Sequence, residues 1–277
     1  MTNTLKTIDK INVCIDYIKR FFKDSKGEKA IIGISGGKDS TVAAALCVEA
    51  LGKENVFGVL MPNGLTSESA YTDLDDGKKV CNFLGIKYHI FDIHEAYHSL
   101  LFNVENLLYC QNNKTKTVNA SEQTKINLAP RIRMSVLYAV AQSMNGRVIN
   151  TTNACERFVG YGTLFGDTAG DIALFKDLGV SEIYKIGDAL GLPNELVHKT
   201  PADGLTGKSD EDVLGVFYSE IETYMKTNGK VPECDWHEAN PYFPGHFNKI
   251  YELHKNSEFK RQMINIPGPE FNHGANI

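Results

Sequence analysis

A chain of 277 residues, 42% hydrophobic and 23% charged, has the composition of a folded globular protein, which excludes a disordered, fibrous or low-complexity chain. Its 29 Lys and Arg stand against 34 Asp and Glu, for a net charge of −5, so it lacks the global positive field of non-specific nucleic-acid binding. No apolar run approaches the ~20 residues of a membrane span, and Lys6, Asp9, Lys10 and Asp16 break the amino terminus, so neither a membrane anchor nor a secretory leader is expected and the chain reads as cytoplasmic.

Residues 4–23 carry Leu5, Ile8, Ile11, Ile15, Ile18 and Phe22 at helical spacing, which predicts an amphipathic opening helix. A polar break leads to Ala30-Ile31-Ile32-Gly33-Ile34, a continuous apolar run of the kind that forms a buried parallel strand. Residues 40–51, rich in Ala, predict a helix ending at Gly52. The alternation repeats, with strands over 56–61, 87–93 and 147–152, a helix over 71–84, and a long helical region over 93–145 interrupted at 111–123. This order predicts an α/β fold, a doubly wound and mostly parallel sheet with helices on both faces, in one domain. The last third reads as a Gly- and Asp-rich loop over 160–171, a polar segment over 200–212, two or three helices and a Pro-rich tail. Cys14, Cys47, Cys81, Cys110, Cys155 and Cys234 are scattered without any C-x-x-C pair, so buried inert thiols are expected rather than disulfides or a zinc site.

The strongest local signal is Gly33-Ile34-Ser35-Gly36-Gly37-Lys38-Asp39-Ser40 between a strand and a helix. Such a turn aims backbone N–H groups and a helix N-terminus at one spot, and glycines let an anion approach closely. The plain alternative is a Gly-rich βα turn without a ligand. A Walker A loop is excluded, because Asp39 follows the lysine where that motif needs the Ser or Thr that ligates magnesium. An Asp beside phosphates requires a cation, so Asp39 reads as a metal ligand. The pattern resembles the S-G-G-x-D-S loop of the pyrophosphate-releasing ATPases, which split ATP between its α- and β-phosphates.

Three later blocks narrow the resemblance. They are Asn127-Leu128-Ala129-Pro130-Arg131-Ile132-Arg133-Met134, then Thr151-Thr152-Asn153-Ala154-Cys155-Glu156 with the loop running to Asp167 and Asp171, and finally residues 201–211 followed by Leu214-Gly215. In order and spacing the whole set resembles the NAD synthetase family, from about Ile31 to Lys260. The resemblance implies an adenine nucleotide alpha-hydrolase-like fold and ammonia-dependent amidation of deamido-NAD (nicotinic acid adenine dinucleotide). ATP is the co-substrate, Mg2+ the cofactor, and the assembly a homodimer.

Carried over by position, Gly33, Ile34, Ser35, Gly36, Gly37, Lys38, Asp39, Ser40 and Thr151 would bind ATP, and Asp39 and Glu156 would hold magnesium. Arg131, Asp171 and Lys260 would contact the dinucleotide, with Asp167 near the reacting carboxyl group; Asp39, Glu156 and Asp167 form the implied catalytic set. The chain departs from the family pattern at Leu164 and Val180, where lysines are frequent, and also at Pro130, Asn150, Ala202 and Phe259. Residues 200–212 read as a lid, whose Lys208 would restore positive charge, with Lys176 and Lys199 as fallbacks. Only about thirty residues precede the first strand, so ammonia rather than glutamine is the expected nitrogen source. Apolar stretches over 100–108 and 134–144 are the expected dimer surface.

Overall fold

In the computed structural model, residues 5–64, 68–111, 119–198, 209–230 and 243–271 are described. The opening helix α1 (Thr7–Ser25) buries Ile11, Cys14, Ile18 and Phe22 along one side. Strand β1 (Lys29–Gly33) is buried through its three central residues, as expected for a strand covered on both faces. The first half then alternates as α2 (Lys38–Leu51), β2 (Val56–Leu60), α3 (Glu68–Leu84), β3 (Lys87–Ile90), α4 (His94–Gln111), α5 (Glu122–Ser143) and β4 (Gly146–Asn150). The five-stranded sheet runs β3-β2-β1-β4-β5, where β5 is Ile172–Ala173. Every pairing is parallel, with Ala30 opposite Val56 on one side and Arg147 on the other.

Predicted and observed boundaries differ where a side chain intervenes. β3 stops at Ile90 rather than 93 because the Asp92 carboxylate accepts from the backbone N–H of His94, at 2.9 Å, and of Gly64, at 3.0 Å, which starts α4 instead. β5 has two residues and no periodicity to announce it. The last third holds more and shorter helices than anticipated: α6 (Ala154–Val159), α7 (Val180–Ala189), α8 (Asn194–Val197), α9 (Asp210–Leu214), α10 (Tyr218–Thr227), α11 (Phe243–Asn256) and α12 (Glu258–Met263).

The two faces of the sheet are covered unequally. On one, α2 offers a run of small residues, Ala43, Ala44 and Ala45, all buried, so α1 and α7 approach it closely from either side. Ile18, Leu46, Phe175, Ile183 and Ile186 fill that core. The buried ammonium of Lys10 pairs with Glu182 and ties α1 to α7. On the other face α5 meets the sheet, through Val136, Leu137 and Val140 against Ile31, Val59 and Val148. The stretch over 134–144 therefore turns apolar residues to its own sheet, contrary to the expected outward role. Helix α4 stacks on α5 from outside and leaves Leu100, Phe102, Val104, Leu107 and Tyr109 exposed.

A second apolar core forms beyond the sheet from Cys155, Val159, Val180, Leu214, Tyr218, Ile221, Phe247 and Ile250, and Tyr184 of α7 packs against both cores. Among the described residues Cys14, Cys47, Cys81 and Cys155 are buried free thiols, and no helix is long and apolar enough to cross a membrane. Cys110 and Cys234 lie outside the described side chains. Ile186 is fully buried where α7 meets the main core. Ile186→Ala should cost about 2–5 kcal/mol of stability, the usual range for such a cavity, measured as a shift in the urea unfolding midpoint at unchanged m-value.

Candidate active site

The strand order reverses direction between β1 and β4: chain continuation runs outward through β2 and β3 on one side and to β5 on the other. Ligands of open α/β sheets bind in the crevice at such a point, outside the carboxyl ends of the strands. Two helix N-termini face this crevice. The loop after β1 enters α2 through Gly37, and the segment after β4 enters α6 through Asn153.

The first loop is closed on itself. The Ser35 hydroxyl accepts from the Gly37 N–H at 3.3 Å, while Ser40 and Thr41 donate to the Gly37 carbonyl at 3.0 and 2.8 Å. Gly36 has φ +81°, and a Cβ there would press on Asp76 at 2.9 Å and on the Asp73 carbonyl at 3.0 Å, so both conformation and space demand glycine. No side chain caps α2, which leaves its first-turn N–H groups without a capping side chain. Asp39 stands in that first turn, where a negative charge is favoured.

Across the crevice, Asn153 caps α6 in a reciprocal arrangement. Its Oδ1 accepts from the Glu156 N–H at 3.0 Å, and Glu156 Oε2 accepts from the Asn153 N–H at 3.0 Å. Half-buried Glu156 feels Asp39, Lys38 and Asp210; burial, then the Asp39 charge, pushes its carboxyl well above the usual glutamate range. Asp210, in α9, accepts from the hydroxyls of Tyr161 and Tyr218 at 3.2 Å each. Burial pushes its carboxyl up as well, opposed by Lys38 and the two tyrosines. Lys38, 4% exposed, sets its Nζ 3.0 Å from Asp39 Oδ2 and over the rings of Tyr218 and Tyr184. Burial disfavours its ammonium, yet Asp39 and Glu156 outweigh that and hold it protonated.

Two buried polar atoms here have no partner among the described residues: Asp39 Oδ1, an acceptor, and Asn153 Nδ2, a donor. An oxygen seeking a cation beside an amide seeking an acceptor suits a metal–phosphate ligand. Among the described residues no cluster of three or more metal-ligating side chains forms. Magnesium needs none, because it is usually held by one or two carboxylates together with substrate phosphates. The residues present thus fit a magnesium ion.

A second group gathers around the loop before β5. Lys260 of α12 donates to the carbonyls of Gly160 and Gly162 at 2.8 and 2.7 Å. Its amine is pushed down by burial and by Arg131, against the pull of Asp167, so these three implied site residues are neighbours. Arg131 is exposed and its Nε donates to the Leu164 carbonyl at 3.3 Å. Asp167 Oδ1 accepts from the Thr163 N–H at 2.5 Å. Asn150, a departure from the family pattern, donates to the carbonyls of Asp167 and Ala169 at 2.9 and 3.1 Å. A Cβ on Gly170 would lie 2.6 Å from the Asn150 Cβ, so that glycine makes the room.

Asp171 is not part of either group. It accepts from the Val148 N–H at 2.7 Å and lines a separate groove on the α5 side with Tyr138, Gln142 and Arg147. Burial, with Asp171 beside it, pushes the Tyr138 hydroxyl up to about 12. Thr151 follows β4 directly at the crevice. Lys208 and the fallback Lys199 lie outside the described residues, whereas Lys176 lines a cleft with Glu156, Lys260, Arg157 and Arg261. The end of the segment expected to be a lid is a helix: Ser209 caps α9, accepting from Asp212 at 3.1 Å, and Asp210 is tethered by its two tyrosines. Sequence reasoning passed over Arg133, which donates to the Met61 carbonyl at 3.0 Å and faces Asp167 and Asp73. Only its place two residues after Arg131 signalled it.

The model of the NAD synthase family matches residues 10–264. The chain belongs to the NAD synthase family. It is 34% identical over 260 residues to the NH(3)-dependent NAD(+) synthetase of Methanocaldococcus jannaschii, covering 93% of this chain and 95% of that one. The synthetase of the same description from Alkaliphilus oremlandii is 33% identical, covering 96% and 98%. Among solved structures, NMN synthetase from Francisella tularensis superposes with a TM-score of 0.77 at 29% identity, over 93% of this chain and 96% of that one. The NH3-dependent NAD synthetase from Campylobacter jejuni does so at 0.71 and 27%, over 92% and 96%.

Without a divalent ion the raised Glu156 carboxyl binds its proton more tightly folded than unfolded. The stability this lends is complete below the ordinary glutamate range and is lost as pH rises through the elevated folded value. Glu156→Gln keeps an oxygen for the Asn153 N–H and removes the charge. In melting curves against pH, without divalent ions, the variant should match or exceed wild type near neutrality and lose that advantage at acid pH.

Proposed function

We propose that this chain is the ammonia-dependent ligase of its family, forming NAD by amidating the nicotinate carboxylate of deamido-NAD at the expense of ATP. The observation that carries the reading is the pairing of Asp39 and Glu156, each in a helix first turn, across one crevice beside a self-closed Gly loop. In the reaction a carboxylate oxygen attacks the α-phosphorus and pyrophosphate leaves. Ammonia then attacks the acyl carbon, a proton is lost, and AMP leaves. Charge accumulates on phosphate oxygens in the first step and on the acyl oxygen in the second, so electrostatic placement supplies most of the rate.

Each group has a task in that scheme. The N–H groups of residues 35–40 and the dipole of α2 receive the pyrophosphate portion, with Ser35 and Ser40 exchanging internal hydrogen bonds for ligand oxygens. Gly33, Ile34 and Thr151 complete the ATP side at the ends of β1 and β4. Asp39 and Glu156 hold magnesium, which when bound supplies positive charge to the bridging and leaving oxygens. Arg131, exposed at the cleft, suits a diphosphate or carboxylate partner. Lys260 donates to the carbonyls of Gly160 and Gly162 in the loop that carries Asp167, which supports giving Asp167 the task of accepting a proton from the incoming nitrogen. A cytoplasmic setting agrees with the four buried free thiols.

The assembly we propose is a two-fold dimer through the α4 side. Leu100, Val104 and Leu107 form an exposed apolar row on one face of α4, and the Asp171 groove opens on the neighbouring α5. A dinucleotide lying along this face would reach Asp171 at one end and Arg131 at the other.

Purified protein with ATP, magnesium and deamido-NAD should release pyrophosphate and form NAD with ammonium and not with glutamine alone. Sustained turnover on glutamine in ammonia-free solution defeats the nitrogen assignment. Nicotinic acid mononucleotide serves as the competing acceptor, and its kcat/KM should fall below that of the dinucleotide. Asp39→Asn and Glu156→Gln should each cost about 2–4 kcal/mol of transition-state stabilisation, the scale of one lost electrostatic group. Sedimentation should report a dimer at micromolar concentration and a monomer for Leu107→Glu; a wild-type monomer overturns the assembly.

A further inference from the structure

Lys38 has no task in the scheme above that its placement explains. It is the first residue of α2, yet its side chain does not reach into solvent: it is 4% exposed, with Nζ 5.3 Å from the Tyr218 ring centre and 6.0 Å from that of Tyr184. An ammonium buried to this degree persists only where opposite charge and aromatic faces replace water. Its partner is Asp39 Oδ2 at 3.0 Å, and Glu156 and Asp210 both feel its charge.

Of these, Asp39 and Glu156 are the carboxylates that the proposed function gives to a divalent cation. Lys38 takes one oxygen of Asp39 and leaves the other, Oδ1, buried and unpartnered. A divalent ion arriving at Oδ1 meets an ammonium held on the same carboxylate, and like charges at this separation in a partly buried site repel strongly. Polyphosphate oxygens change that balance, because they bring enough negative charge to accommodate both cations.

We infer that Lys38 is the resident counter-ion of the acidic pair, holding Asp39 and Glu156 compensated in the nucleotide-free protein and opposing capture of a free divalent ion. The ion then enters with the nucleotide rather than ahead of it. This rests on the reading that Asp39 and Glu156 hold the ion. Lys38 is in this sense a positioning residue, acting through Asp39 rather than on the reacting atoms.

The test measures Mn2+ binding to the full chain without nucleotide, from the electron paramagnetic resonance signal of the free ion. Lys38→Met keeps the length and the contact with the tyrosines and removes the charge, and should bind Mn2+ at least about tenfold more tightly than wild type. Lys38→Arg keeps the charge and should stay at the wild-type affinity. Asp39→Asn placed on Lys38→Met should abolish the gain. Equal affinity of Lys38→Met and wild type, or an equal gain in Lys38→Arg, overturns the inference. Should Lys38→Met fail to fold by its melting curve, Lys38→Gln, which retains a polar end toward Asp39, carries the same expectations. A separate arm measures Mn2+ binding with ATP present: if Asp39→Asn and Glu156→Gln leave it unchanged, the metal reading itself has failed, whatever Lys38 does.

Discussion

Two carboxylates brought to the carboxyl edge of one parallel sheet must be compensated, and much of the site follows from how that is done. Asp39 and Glu156 stand in the first turns of α2 and α6, so each gains from a helix N-terminus, and Glu156 also accepts from the N–H of its own cap. Burial, then the neighbouring Asp39 charge, nonetheless pushes the Glu156 carboxyl up. The remaining compensation comes from Lys38, buried against two tyrosine rings.

The scaffold dictates this pairing. Because β1 and β4 are neighbours while their continuations diverge, the loops that leave them open a gap between them. The small residues of α2 let α7 come close on one side, and α7 carries Tyr184 to Lys38. The second core, built from α6 and the helices after α8, supplies Tyr218 and anchors Asp210. Placement of one buried ammonium therefore depends on both cores at once.

How much of this could be read from the chain follows the range of the interactions. The run Ala30-Ile31-Ile32 and the glycines before Lys38 are local signals, and each produced the element expected of it. The apolar residues over 134–144 suggested an interface because periodicity gives a face but not its partner; that partner proved to be the sheet. Helices α6, α8, α9 and α12 have four to six residues each, too few for a period to show, and the second core draws on residues from Cys155 to Ile250. The resemblance gives Asp171 to the dinucleotide, and no sequence pattern announces the bond from the Val148 N–H that sets it on the α5 side. The tyrosines around Lys38 lie on α7 and α10, and no local pattern joins them to the loop.

The departures at Leu164 and Val180 show why charge has to be located in space rather than along the chain. Val180 is buried at the start of α7 among Cys155, Val159 and Tyr218, so a lysine there would have to leave an apolar core. Leu164 serves through its carbonyl, which receives Arg131, a task that any side chain permits. Positive charge reaches the crevice and its neighbouring cleft from elsewhere: Lys38 beside Asp39, Lys176 on the cleft wall with Glu156, and Arg133 facing Asp167. Asn150 makes the same point for a neutral group, since its amide binds the two carbonyls that shape the Asp167 loop and Gly170 yields the space its Cβ needs. An anion responds to the field at its own position, and that field depends on where the ammonium ends and what screens it, not on which residue number carries it.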